Sequence, residues 1–238
     1  MIEPIYYFLK NMIRSYKFIA PYSVFVLIVV ILYYYAGQPA LSSFGTTSML
    51  LLFISIWLNL ITFDLESVEE LQLLLTQLGR LLYLTSKLIF NFLMTVPLII
   101  FAIIYPLVSL RFEHLPSLTE ILIGIHVHIV ISITAIILTA LFKYSNFLSR
   151  KYSWLLLILI SLLAILKSNI IKEIPTFKYI SFVLPPISEI LNYLSQSSTS
   201  IFNTHFLIIN LWYYIYILFF TIVLYIIFIK KDILLLNK

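Results

Sequence analysis

The chain has 238 residues, of which 62% are apolar and 11% charged, with a formal charge of +5 and a mean hydropathy of +1.08. A soluble domain carries about 25% charged residues, and one of this length could not bury so much apolar surface, so an ordinary soluble fold is excluded. The absence of cysteine excludes disulfides, thiolate metal sites and a cysteine nucleophile.

The remaining solvent for this chain is a bilayer. A helical span needs about 20 mostly apolar residues, and the long apolar runs here are continuous rather than alternating, which favours helices over a barrel. The expected fold is an all-α polytopic membrane protein, one domain over 1–238 with six spans. Heavy use of Ile, Leu, Tyr, Asn and Lys points to an AT-rich bacterial genome and hence to the bacterial plasma membrane.

Residues 2–17 carry Ile2, Ile5, Tyr6, Leu9, Met12, Ile13 and Tyr16 at helical spacing, with Lys10, Arg14 and Lys17 on another side. This predicts an amphipathic helix lying in the membrane interface, its cations toward anionic lipid headgroups. No small-residue cleavage site follows a short apolar core, so the first span is expected to be retained.

The spans are expected at about 18–35, 44–63, 88–110, 121–142, 154–171 and 206–229. Gly37, Gln38 and Pro39 close the first with turn chemistry. Pro97 and Pro106 are expected to kink the third. Lys167 is expected to snorkel from the end of the fifth. The segment 172–205 is expected to hold a short amphipathic helix started by Pro185 and Pro186, either re-entrant or resting on headgroups, followed by a polar linker. With the N-terminus inside, inner segments hold Lys10, Arg14, Lys17, Arg80, Lys87, Lys143, Arg150, Lys151, Lys230, Lys231 and Lys238. Outer segments hold only Arg111, Lys167, Lys172 and Lys178. The bias places both termini in the cytoplasm.

The connector 64–87 falls on the same side. Four of the ten acids lie at its start, Asp64, Glu66, Glu69 and Glu70. Ser67 and Glu70 have capping-box spacing, and the acids suit the positive end of a helix dipole. Val68, Leu71, Leu74, Leu75 and Leu78 form an apolar stripe, and Gly79 is placed to end the helix in a left-handed cap. Such a stripe needs lipid, protein or its own spans beneath it; the favoured reading is a helix that docks on a soluble partner.

The order of elements resembles the membrane subunit of an ATP-binding-cassette (ABC) exporter of the type-2 permease superfamily. An amphipathic helix is followed by two spans, an acidic connector helix, four more spans, and an outer segment before the last. Glu66, Ser67, Glu69, Glu70, Leu71, Leu74, Gly79, Arg80 and Lys87 carry the likeness in the connector; a proline usual in the turn is absent. The resemblance implies a dimer, each copy or paralogue seated through this connector on a cytoplasmic ABC ATPase. It also implies export of an amphipathic peptide or a lipid-like substrate.

The chain has no phosphate-loop motif and only four glycines, so no cofactor is expected in it, and ATP and Mg would sit on the partner. No acid falls inside a span, which removes the usual chemistry of ion coupling. Nucleic acid is not an expected partner. Asn91, His126, His128 and Asn210 are the candidates for a substrate pathway or for interhelical hydrogen bonding. The spacing of His126 and His128 divides them between helix faces, and no metal site is expected. The alternatives are a membrane-embedded hydrolase using His126 or His128, and a non-transporting peptide-immunity or sensor protein.

Overall fold

The computed structural model describes residues 1–145, 150–195 and 204–230. The expected linker after Ser195, the loop before Arg150 and the tail with Lys231 and Lys238 lie largely outside these residues, as do the side chains of Arg150 and Lys151. The described residues form nine α-helices in chain order: α1 (Ile2–Ser15), α2 (Ile19–Leu32), α3 (Ala40–Phe63), α4 (Val68–Leu78), α5 (Arg80–Val108), α6 (Leu118–Ser145), α7 (Arg150–Glu173), α8 (Ile187–Ser195) and α9 (Thr204–Lys230). Two short 3-10 turns, Pro175–Tyr179 and Ser181–Val183, precede α8.

Five of these, α3, α5, α6, α7 and α9, are long and apolar enough to cross a membrane. Each falls on an expected span, α5 ending two residues before the expected end of the third. The expected first span is shorter than read. Its helix, α2, has 14 residues, about 21 Å at 1.5 Å per residue, against a hydrocarbon core of about 30 Å. It joins α1 across a break bent by 79°. Tyr16 makes that bend with a φ of 55°. The expected third span also begins earlier than read: α5 starts at Arg80, immediately after Gly79, so Lys87 lies inside the helix and not before it.

Helix α5 runs unbroken through Pro97 and Pro106. A proline removes one donor from the ladder, and in a bilayer a neighbour has to satisfy the freed backbone. Tyr22 on α2 donates its hydroxyl to the Met94 carbonyl, next to the Leu93 carbonyl that Pro97 leaves without its helical donor. Pro21, Phe25, Val29 and Tyr33 recur every fourth residue on the buried side of α2, and the last three pack with Leu51, Ile54, Leu98, Ile99 and Ala102.

The core is the α3–α6 pair. Gly124 lets the helices approach so closely that a β-carbon there would stand 2.7 Å from the Phe44 ring. Small polar residues on α3 supply the rest of the close face: Thr47, Ser48, Ser55, Asn59 and Thr62 are all buried. The hydroxyls of Ser48 and Thr62 donate to carbonyls three residues back on their own helix.

At the other end of the chain, α8 is buried along Ile187, Ile190 and Leu194, within the cluster that holds Leu52, Val127, Val130 and Tyr213. The chain before it reaches far along α9. The Tyr216 hydroxyl donates to the Val183 carbonyl at 3.0 Å, and the Phe182 ring meets Trp212 at a tilt of 52° with centroids 4.6 Å apart. Tyr216 is twelve residues into α9, about 18 Å from its start. Tyr193, near the end of α8, meets Phe206 at 4.9 Å. The segment therefore reaches along α9 and comes back beside its start. Lys167 does not snorkel: it is buried and pairs with Glu189 of α8 at 2.7 Å, because the returning helix brings a carboxylate to it.

Candidate functional site

The acidic connector folds into a hub where α1, α4, α5 and α9 meet. Ser67 caps α4 with both halves of the capping box: its hydroxyl accepts from the Glu70 amide at 3.2 Å, and the Glu70 carboxylate accepts from the Ser67 amide at 3.3 Å. Glu70 does more than cap. Its Oε1 accepts from the Tyr7 hydroxyl and, at 3.2 Å, from Asn11 Nδ2, so one carboxylate joins α4 to α1.

Glu66 lies just before the cap and forms an ion pair with Lys87 of α5. Both side chains are out of solvent, at 0% exposure for Lys87 and 3% for Glu66. The ammonium also stands 4.4 Å from the Phe8 ring centroid and 5.7 Å from that of Phe90. The Tyr83 hydroxyl gives Glu66 a second donor at 3.3 Å. Asp64 pairs with Lys143 of α6. Arg80 donates to the carbonyl of Ile229, which ties the start of α5 to the last turn of α9. Thr85 and the Tyr225 hydroxyl add a bond of 2.7 Å between the same helices.

This arrangement reassigns the leucine stripe. Leu74 and Leu75 are buried, and Leu71 and Leu78 pack on the chain's own core with Phe8, Phe63, Tyr83 and Phe228. Burying the first two contributes about 3–6 kcal/mol together, enough to hold an eleven-residue helix to its own bundle. The stripe is spent within the chain. What α4 leaves in solvent is the opposite face: Glu69, Leu73, Thr76 and Gln77, at helical spacing. The Glu69 carboxyl is held below its ordinary pKa by hydrogen bonding to its own backbone amide and to the Ser67 hydroxyl, so this face carries a fixed negative charge.

Gly79 does not form a left-handed helical cap. Its φ of 75° and ψ of 159° belong to the extended, glycine-only region. The reason is the directness of the turn, since α4 ends and α5 begins with one residue between them.

Of the four polar residues of the expected pathway, His126 and Asn210 meet, while His128 and Asn91 have other surroundings. His128 is fully buried; its Nδ1 lies 2.7 Å from the Gly124 carbonyl and its Nε2 3.1 Å from the Thr47 hydroxyl. A carbonyl only accepts, so in the neutral ring Nδ1 donates and Nε2 accepts. His126 holds the opposite tautomer. The Asn210 amide donates to the Phe206 carbonyl at 2.8 Å, leaving its oxygen to accept from His126 Nε2 at 2.7 Å. One histidine thus joins α6 to α3 and the other joins α6 to α9. Asn91 is fully buried on α5 and its carboxamide has no hydrogen-bond partner among the described residues. The same holds for Asn59 on α3. Among the described residues no three His, Cys, Asp or Glu side chains gather to hold a metal ion.

Sequence reasoning missed the partners of the connector. Tyr7, Phe8 and Asn11 fall in the expected interfacial helix, Tyr83 in the expected connector without a role, and Lys143 in the expected loop after the fourth span. A signal was present in Lys87: a lysine seven residues into an apolar helix needs a carboxylate, and the nearest acids precede Gly79 in the chain.

Comparison with protein-family models, with curated proteins and with solved structures finds no match. The class defined by the fold is an all-α protein with the span pattern of a membrane protein.

Proposed function

We propose that the chain is the transmembrane permease subunit of an ATP-driven exporter, with ATP bound and hydrolysed on a separate cytoplasmic ATPase. The observation that carries this reading is the construction of α4. It is a capped helix between two spans, fixed to α1 by Glu70, with Glu66 beside its cap fixed to α5, and with one charged face left open. A decorative turn needs no such bracing. A lever needs it, because force applied at one face has to reach the spans without being absorbed by local give.

In this reading Glu69, Leu73, Thr76 and Gln77 meet the ATPase, while Glu66, Ser67, Glu70, Leu71, Leu74, Gly79 and Arg80 transmit the displacement. The segment 18–35, which contains α2, supplies a sixth span, both termini are cytoplasmic, and the membrane is bacterial. Two copies, or a copy and a paralogue, enclose the pathway. Its apolar and aromatic walls suit an amphipathic peptide or a lipid-like molecule. The scarcity of glycine and the lack of a phosphate-loop motif agree with an external source of energy.

The test is co-purification of the full chain from its native membrane. An ATPase subunit is expected to accompany it, and Glu69→Lys is expected to weaken that association while the chain still folds. Recovery of the intact chain with no ATPase, or undiminished association in the variant, counts against the reading.

A further inference from the structure

Helix α1 presents four sides, and two of them are used inside the molecule. Successive residues turn by about 100°. Pro4, Phe8 and Met12 share one side and are buried against the bundle. Ile2, Tyr6, Leu9, Ile13 and Tyr16 form a second side and are exposed, Ile2 at 84% and Tyr16 at 69%. Lys10 and Arg14 follow Leu9 and Ile13 by one residue, so their row runs beside the exposed apolar row, and Lys17 continues it past the helix end. All three cations are exposed, and none has an ion-pair partner among the described residues. Glu3 is the one acid on that side, a little under two turns before Lys10.

We propose that this basic row is a docking surface for anionic phospholipid headgroups. Charge complementarity selects the occupant. An acidic protein would satisfy the cations but would leave the parallel row of Ile2, Tyr6, Leu9, Ile13 and Tyr16 in water. A phospholipid supplies both chemistries in the required order, acyl chain against the apolar row and phosphate against the cations. The 79° bend between α1 and α2 lets α1 lie across the interface while α2 enters the apolar layer. Tyr7 and Asn11, on the remaining side, hold the Glu70 carboxylate of α4, so headgroups bound to α1 grip an element joined directly to the hub. The inference rests on the chain lying in a membrane and not on transport, so a failed ATPase association leaves it standing.

The experiment is native mass spectrometry of the full chain released from micelles supplied with equal amounts of phosphatidylglycerol and phosphatidylcholine. The wild-type chain is expected to retain phosphatidylglycerol preferentially, less so as salt is raised. Each of Lys10→Gln, Arg14→Gln and Lys17→Gln is expected to lower that preference about fivefold or less, the strength of one basic residue at an anionic surface, and the triple variant to abolish it. Lys230→Gln, at the exposed end of α9, is expected to leave it unchanged. Equal retention of the two lipids by the wild type, or a preference that survives in the triple variant, overturns the proposal. All substituted side chains are exposed, and unchanged melting of the variants confirms that the fold is intact.

Discussion

Replacing Lys87 by Met leaves the Glu66 carboxylate buried with Tyr83 as its remaining donor at 3.3 Å. The side chains are 0% and 3% exposed, so solvent screening gives little relief. Breaking one side of such a pair costs about 3–5 kcal/mol. The ring contacts with Phe8 and Phe90 are lost as well, at about 0.5–2 kcal/mol, although Met refills much of the volume. The paired variant Glu66→Leu/Lys87→Met behaves differently, because it leaves no charge stranded. Apolar replacement of a whole buried pair is commonly neutral or stabilising by about 1–4 kcal/mol. The expected cycle is therefore strongly non-additive, with a coupling of several kcal/mol. The assay is reversible unfolding of the detergent-solubilised chain by SDS titration, followed by tryptophan fluorescence. A Lys87→Met chain within about 0.5 kcal/mol of wild type, a surface-substitution value, would refute the reasoning. A double variant as unstable as the sum of its singles would refute it equally.

Gly124→Ala forces a β-carbon against the Phe44 ring and is expected to cost about 1–3 kcal/mol by overpacking, with partial rescue by Phe44→Leu, read from melting temperatures. Gly79→Ala meets nothing within 4 Å, so its cost comes from backbone conformation alone, about 1–3 kcal/mol; the loss should persist at Gly79→Ser, which is equally strained. Asn91→Leu removes a buried carboxamide with no described partner and is expected to leave stability unchanged or raised by about 1–3 kcal/mol. If Asn91 also contacts cargo, transport falls while the melting temperature does not. Thr47→Val strands His128 Nε2 and is expected to destabilise by about 1–3 kcal/mol, measured by the same unfolding assay.

The long helices were legible because a bilayer imposes length and hydropathy on each span separately; α3, α5, α6, α7 and α9 could be read one at a time. The capping box at Ser67 and Glu70 was legible for a similar reason, since it is a contact between residues three apart. The partnerships of the acids were not. Glu70 with Tyr7 and Glu66 with Lys87 join residues 63 and 21 apart, and no local period encodes which helix comes alongside. The leucines of α4 show the same limit. Their spacing predicts a buried stripe, and nothing in the spacing says whether a partner or the chain itself does the burying. Lys167 was misread because its counter-charge, Glu189, arrives only when the segment before α9 folds back.

The central claim is that α4 faces the cytoplasm and offers its Glu69 side to a soluble motor. Because the chain contains no cysteine, Glu69→Cys creates a single thiol. Labelling it with a membrane-impermeant maleimide is the most direct test. The account expects labelling in inverted membrane vesicles, protection when the ATPase is bound, and none in intact cells. Labelling in intact cells contradicts it.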